Sequence, residues 1–346
     1  MHLLIDVRTS SLSDIGNISY AEYWASLWKR LSPHDEITFL AHDGDEVFWP
    51  EVVFLPRRFP IGSHRKSLAH HKNGPQRIIS FSRLPSIDKR IPTVLFLDHL
   101  VPLLYPLDEK SWFQRKYDEY MTKKSLRQAK KIITADRDLA NSLLENFRIK
   151  ESQIAILPHL LDLSLEWGES YEELLIEERK KTYFIVEGTS GDEWRPYELL
   201  SLYSRYLHEH HGILDMRILG NLGNNLGHIM SLIRSLDLIE HVKIMGVPTR
   251  KERARIYRSA TSWVAVWPYS STVYPLSLAA GTGLSLILSD IPAHQGYEAR
   301  TLHPNHIDEL ISSLIDAESV VLPIIQKQNN TGLMQEYKRI IIWEIS

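Results

Sequence analysis

Short runs rich in Val, Ile, Leu and Phe alternate with longer amphipathic stretches through both halves of the chain, and this alternation constrains the fold more than any other feature. Such runs fit strands buried on both faces of a parallel sheet, with the amphipathic stretches as crossover helices. In the first half the strand candidates are "HLLIDV", "EITFLAH", "VVFLP", "TVLFLD", "KIITA" and "IAILP". The helix candidates between them include "SYAEYWASLWKRL" and "WFQRKYDEYMTKKSLRQA". The second half offers "TYFIVEGT", "DMRILG", "HVKIMG", "SWVAVWP" and "LSLILSD" as strands. Its helices are "RPYELLSLYSRYLHEHH", "LGHIMSLIRSLDL" and "TRKERARIYRSA".

At 346 residues the chain is long enough for two domains with separate cores. Between the halves lies "HLLDLSLEWGESYEELLIEERKK", Glu-rich and without a strand signal, so the linker is placed near Leu161 to Lys181. The expected organisation is two doubly wound α/β domains facing one another across a cleft, with ligands at the carboxyl ends of the strands. Glycine or polar loops stand at those ends. "RTSSLSDIGNIS" brings Gly16 to the start of a helix, "GTSGDEWRP" carries Gly188 and Thr189, "GNLGNN" begins at Gly220, and "GVPT" supplies Gly246 and Val247. Glycine admits close backbone approach, and a following helix N-terminus offers unpaired N–H groups to an anion. Turns between strands and helices also use glycine for purely structural reasons.

Composition narrows the function classes. Forty basic against 43 acidic residues give a net charge of −3, which exerts no global pull toward nucleic acid. The absence of cysteine excludes disulfides and thiolate metal sites and fits a reducing compartment. The apolar N-terminal run is too short for a signal sequence, so a cytoplasmic protein is expected. Residues 259–289 contain no Asp, Glu, Lys or Arg, yet Pro268, Pro275, Gly281 and Gly283 interrupt the stretch and argue against a membrane span.

Several longer segments resemble the retaining nucleotide-sugar glycosyltransferases of the GT-B fold, family-4 type. They are "AKKIITADRDLANSLLENFRIKESQIAILPHLL", "VEGTSGDEWRPYELL", "VKIMGVPTRKERARIYRSATSWVAVWPYSS" and "LILSDIPAHQGYE", supported by "LLIDVRTSSLSDIGNISYAEYWASL" and "TVLFLDHLVPLLYP" nearer the N-terminus. The resemblance implies two Rossmann-like domains: an acceptor domain over 1–165 and a nucleotide-sugar donor domain over 166–325. It also implies that the last helix, in 326–346, crosses back to the first domain. A sugar would pass from a nucleotide diphosphate to a glycan or lipid-linked acceptor with retention. No metal or resident cofactor is implied.

The resemblance also implies site residues. Arg195 would neutralise the leaving diphosphate, its usual lysine neighbour being replaced by Pro196. The backbone of Thr272, Val273 and Tyr274 would hold phosphate oxygens. Asp98 or His99 would orient the acceptor hydroxyl or accept its proton. Gly16 and Gly188 would let two loops approach the phosphates. Where the family carries two glutamates, one toward the reacting sugar and one on the ribose, this chain has Ser270 and Leu278. Those vacancies keep a second reading open, a catalytically degenerate relative that binds a glycan or a partner enzyme.

Plainer readings accompany each residue. Arg195 can pair with Glu193 or Glu198, and Asp98 can cap a helix. Ser270, Ser271 and Thr272 can form a polar turn, and Leu278 can pack with Leu276 and Leu284. "HEHH" at 208–211 fits a solvated helix end better than a metal site. "HRKSLAHHK" with Arg57, Arg58, Lys66 and Arg77 forms a basic patch that can be a solvated loop or a peripheral contact with anionic membrane at its inner face. A Rossmann oxidoreductase is disfavoured because no G-x-G-x-x-G follows a strand candidate.

Overall fold

The computed structural model describes residues 1–8, 15–45, 47–56, 74–97, 112–135, 137–157, 183–189, 194–267, 273–291, 294, 299–302, 306–318 and 331–344. The chain forms two compact units: Met1–Leu160 together with Asn329–Ser346, and Leu161–Gln328.

The first unit holds a seven-stranded sheet in the order β3-β2-β1-β4-β5-β6-β7, every pair parallel. Its strands are β1 (His2–Asp6), β2 (Glu36–His42), β3 (Val52–Leu55), β4 (Arg77–Ser80), β5 (Thr93–Phe96), β6 (Lys131–Thr134) and β7 (Ile154–Ile156). β1 and β5 are buried along their whole length, while the edge strands β3 and β7 are partly exposed, as a sheet covered on both faces requires. β4 was not among the strand candidates. It is four residues long with only Ile78 and Ile79 apolar, and its central place comes from pairing with β1 and β5 rather than from its own pattern.

Helix α1 (Ile15–Leu31) buries Tyr20, Tyr23, Trp24, Leu27 and Trp28, spaced to fall on one helical face. The Trp24 and Trp28 rings stack at 5.2 Å, and Trp24 meets Phe81 at 6.2 Å and Phe96 at 5.8 Å. The Trp28 indole N–H donates to Asp35 Oδ2 at 2.9 Å, and the N-terminal ammonium lies 2.7 Å from Asp35 Oδ1. Helices α2 (Trp112–Gln128) and α3 (Arg137–Phe147) flank β6 in sequence. The C-terminal segment forms α9 (Thr331–Arg339) and a π-helical turn over Ile340–Glu344. Its Tyr337 is buried and stacks on Phe96 of β5, centroids 5.6 Å apart and planes within 3°.

The second unit holds a six-stranded parallel sheet in the order β10-β9-β8-β11-β12-β13. The strands are β8 (Tyr183–Glu187), β9 (Asp215–Leu219), β10 (Val242–Gly246), β11 (Ser262–Ala265), β12 (Ser285–Ser289) and β13 (Arg300–Leu302). Its helices are α4 (Pro196–His208), α5 (Leu226–Ser235), α6 (Arg250–Ser259), α7 (Val273–Gly281) and α8 (Leu310–Glu318). β13 is a three-residue edge strand with one buried residue, which no apolar pattern announces. The core runs through Tyr203, Tyr206, Tyr257, Trp263 and Trp267 and includes Leu278. Both sheets reverse strand order once, between β1 and β4 and between β8 and β11, so each has one topological switch point.

Because Tyr337 fills the space over Phe96, Tyr337→Ala is expected to cost about 3–5 kcal/mol, the scale for truncating a buried aromatic. Amide exchange should then speed up in β4 and β5 while β8 to β12 keep their protection; unchanged exchange in β5 would refute this role for the C-terminal segment.

Candidate functional site at the carboxyl edge of the second sheet

The turns that leave β8, β9 and β10 are tied backbone to backbone. The Gly188 N–H donates to the Leu219 carbonyl at 2.6 Å, and the Gly220 N–H donates to the Gly246 carbonyl at 2.7 Å. The three glycines are there for different reasons. A Cβ on Gly220 would lie 2.1 Å from the Gly188 carbonyl oxygen, and Gly220 has φ +104°. A Cβ on Gly188 would lie 2.6 Å from Leu222 Cδ2 and 2.9 Å from Ile218 Cγ2. Gly246 has open space around it but sits at φ +66°. At 188 and 220 the requirement is the packing of the turns, and at 246 it is the left-handed backbone.

Arg195 stands at the start of the helix that follows β8. It lies between buried Trp194 and Pro196, which opens α4, and adopts φ 53°, ψ 53°. A left-handed conformation is uncommon outside glycine and costs on the order of 1–3 kcal/mol, so the surrounding packing holds it there. Its guanidinium makes a two-point contact with Glu198, Nε to Oε2 at 2.9 Å and Nη2 to Oε1 at 2.7 Å, with the side chain about one-fifth exposed (21%). Pairing with Glu198 is therefore observed; Glu193 lies outside the described residues.

The helix N-termini along this edge differ. The Thr249 hydroxyl accepts from the Glu252 N–H at 3.3 Å, and Glu252 accepts from the Thr249 N–H at 2.8 Å, which closes the start of α6. At α4 and α5 the cap positions, Arg195 and Asn225, supply no side-chain acceptor to the helix N–H groups. Pro196 has no N–H to offer, and the Leu226 N–H already donates to the Gly223 carbonyl of the 3-10 turn that runs into α5, so only part of each first turn is left for an anion. Large apolar side chains accompany them: Tyr197, Leu226, Met245 and Val247 are all exposed, at the ends of three adjacent strands or the helices that follow. An edge where two helices start without a side-chain cap beside exposed apolar groups has room for a ligand that is anionic at one end and planar and apolar at the other.

No protein-family model matches the sequence, and no curated protein matches it. Solved structures match it along its whole length. WaaG, a glycosyltransferase involved in lipopolysaccharide biosynthesis, is 12% identical with a TM-score of 0.66, covering 99% of this chain and 100% of that one. Sucrose-phosphate synthase from Thermosynechococcus elongatus is 13% identical with a TM-score of 0.64, covering 99% and 95%. An α-glucosyltransferase in complex with UDP-glucose and DNA containing an abasic site is 10% identical with a TM-score of 0.63, covering 99% of each chain. The fold is GT-B.

Within this GT-B fold the residues expected at the site separate into groups. Gly188, Thr189, Arg195, Gly220, Gly246 and Val247 lie at the carboxyl edge of one sheet, Gly246 as the last residue of β10 and the others after β8, β9 and β10. Val273 and Tyr274 open α7, so their N–H groups belong to its first turn. Leu278 is fully buried in the core of that unit, so its side chain packs and presents no polar group. Gly16 is the second residue of α1, which follows the carboxyl end of β1, one position inside the helix rather than just before it. Asp98, His99, Ser270, Ser271 and Thr272 lie outside the described residues, as do Arg57, Arg58 and Lys66. Among the described residues no cluster of His, Asp and Glu is placed to hold a metal, and no helix is long and apolar enough to cross a membrane.

Two ionisable groups on this edge escaped the sequence reading. Glu187, the last residue of β8, accepts from the Tyr257 hydroxyl at 3.0 Å. Burial raises its carboxyl pKa, against the opposing pull of the Arg253 charge and the Tyr257 hydrogen bond. His294, after β12, is buried with Nδ1 2.9 Å from the Ser289 carbonyl, and burial lowers its pKa. The only hint of Glu187 in the sequence is a charge ending an otherwise apolar run.

Two outcomes follow from this geometry. Gly220→Ala places a methyl against a carbonyl oxygen at positive φ and is expected to destabilise the second unit by about 3 kcal/mol or more. Near-normal urea unfolding of that variant would contradict the crowding. Glu187 has a raised folded-state pKa, so its stabilising contribution is complete below its ordinary value of 4.5 and is lost as pH rises through the raised value. Glu187→Gln keeps an acceptor for Tyr257 and stays neutral. It should raise Tm relative to the parent at pH 7.5 and lose that advantage at pH 4; an equal difference at both pH values would contradict the shift.

Proposed function

We propose that the protein is a glycosyltransferase that moves a sugar from a nucleotide-diphosphate donor to a glycan or lipid-linked acceptor, with retention and without a metal. The observation that carries the reading is Arg195, a cation held in a left-handed conformation at the start of α4 and beside a helix N-terminus without a side-chain cap. Departure of a nucleoside diphosphate develops one further negative charge on its β-phosphate as the bond to the sugar breaks, and preorganised cations and N–H dipoles stabilise it. Arg195 and the first-turn N–H groups of α4 would meet the diphosphate, Val273 and Tyr274 N–H would add the dipole of α7, and the exposed Val247 and Met245 would flank the base. Asp98 or His99 would orient the acceptor hydroxyl and take up its proton as the glycosidic bond forms on the face from which the diphosphate leaves. One of the similar folds was solved with UDP-glucose, and another is involved in lipopolysaccharide biosynthesis, which supports this donor and acceptor class.

A second reading, a degenerate scaffold that binds a glycan or partner without turnover, is favoured by two observations. Leu278 is buried where a ribose carboxylate is expected, and Glu198 already occupies the Arg195 guanidinium.

Calorimetric titration with UDP-, GDP- and ADP-sugars separates the two. The enzyme reading expects micromolar binding of one donor, weakened about 10- to 100-fold by Arg195→Ala, since hydrogen bonds to charged groups contribute about 1.5–3 kcal/mol. Glu198→Gln, which frees the guanidinium, should leave that affinity equal or tighter. No heat with any donor eliminates the enzyme reading and leaves the scaffold.

A further inference from the structure

His294 is 3% exposed at the carboxyl end of β12, and one hydrogen bond orients its ring. Nδ1 lies 2.9 Å from the Ser289 carbonyl. The Ile291 N–H donates to the same carbonyl and the His294 N–H to the Ile291 carbonyl, each at 2.9 Å, so the turn folds back on the strand end. A carbonyl oxygen only accepts, so the ring proton is on Nδ1, and burial favours the neutral imidazole. Nε2 therefore carries a lone pair, and among the described residues nothing donates to it.

Two indoles at the neighbouring strand ends show the opposite lack. Trp267, two residues past β11, and Trp194, in the turn between β8 and α4, are buried, and among the described residues their Nε1–H groups have no acceptor. β8, β11 and β12 are consecutive in the sheet, so these three ends span about 10 Å at the usual strand spacing. Buried polar atoms are nearly always paired, and here the missing partners are one proton donor and two oxygen acceptors. A hydroxyl is both donor and acceptor, and a ring bearing several hydroxyls supplies all three.

We propose that the carboxyl ends of β8, β11 and β12 form a subsite for a polyhydroxylated ring of the donor. His294 Nε2 accepts from one hydroxyl, and the Trp194 and Trp267 indoles donate to others. This subsite rests on the donor reading and deepens it. Leu278 is buried and presents no polar group, so a neutral imidazole takes the acceptor role expected there of a carboxylate. An uncharged acceptor adds no repulsion beside a diphosphate. The ring is either the ribose or the sugar to be transferred, and the two give different results in the same experiment.

The experiment is calorimetry of the parent, His294→Asn and His294→Gln with UDP-glucose, GDP-mannose and ADP-glucose, and with the free diphosphate of the donor that binds. Asparagine places an amide N–H where Nδ1–H stands, so it keeps the Ser289 bond and removes Nε2. Glutamine reaches the Nε2 position and keeps an acceptor there. His294→Asn should bind the donor about tenfold more weakly, the scale for one buried hydrogen bond left unmade, and His294→Gln should recover part of that loss. A loss that persists with the free diphosphate assigns the ring to the ribose, and a loss confined to the nucleotide sugar assigns it to the transferred sugar. In imidazole ¹⁵N spectra of the parent, His294 Nε2 should shift on donor addition while Nδ1 stays in place. Equal donor affinity in the parent and His294→Asn, or an unmoved Nε2, overturns the subsite, and the donor reading then stands if Arg195→Ala still weakens binding. Absence of binding by the parent to all three donors ends both.

Discussion

The carbonyl oxygen of Gly188 occupies the space in which any other residue at 220 would put its Cβ. That approach of two backbones sets the geometry of the second sheet's carboxyl edge. The turns after β8 and β9 lie flat against one another, Gly220 donates onward to the turn after β10, and α4 and α5 start beside them. A parallel sheet presents its ligands at this edge because every crossover helix begins there. Glycine at these positions is therefore a condition for the edge to exist, whatever ligand uses it, and glycine-rich turns alone say little about chemistry.

Chemistry enters through the charges, and here the edge is sparing. Arg195 is fixed by backbone strain and by Glu198, so its guanidinium is oriented before any ligand arrives. Preorganisation of that kind reduces the cost of reorientation during a reaction, while Glu198 competes for the same donors. Glu187 carries the opposite tension, a carboxyl at a strand end whose burial opposes its ionisation and whose neighbours Arg253 and Tyr257 partly restore it. A negative group at this edge repels an anionic ligand when ionised, so a raised pKa there makes the edge more favourable to anions at lower pH.

Most of the architecture was legible because buried parallel strands are written as apolar runs: β2 matches its candidate residue for residue, and β1, β5, β6, β8 and β9 lie inside theirs. β4 and β13 were not, since pairing partners and not composition make them strands. At the site, the glycines and Arg195 could be located from their positions after strands. Their reasons could not, because the αL backbone of Arg195 and the steric demand at Gly220 arise from three-dimensional neighbours. Leu278 shows the complementary case, where an apolar residue at an expected polar position reads equally well as core, and the core is where it lies.

Helix α2 illustrates what a periodic pattern leaves open. "WFQRKYDEYMTKKSLRQ" reads as helical, but the pattern alone does not say which side is covered. The covered side is the less hydrophobic one in its aromatic content, with Thr122 and Ser125 packed inward while Phe113 and Tyr117 remain in water. Folding gains nothing from exposed rings, and each adds to the tendency to associate. The cations on the same face, two of which also pair with Glu119, offset that tendency by mutual repulsion between copies. Exposed rings and cations therefore share one face of α2, an arrangement that the packing of this unit does not require.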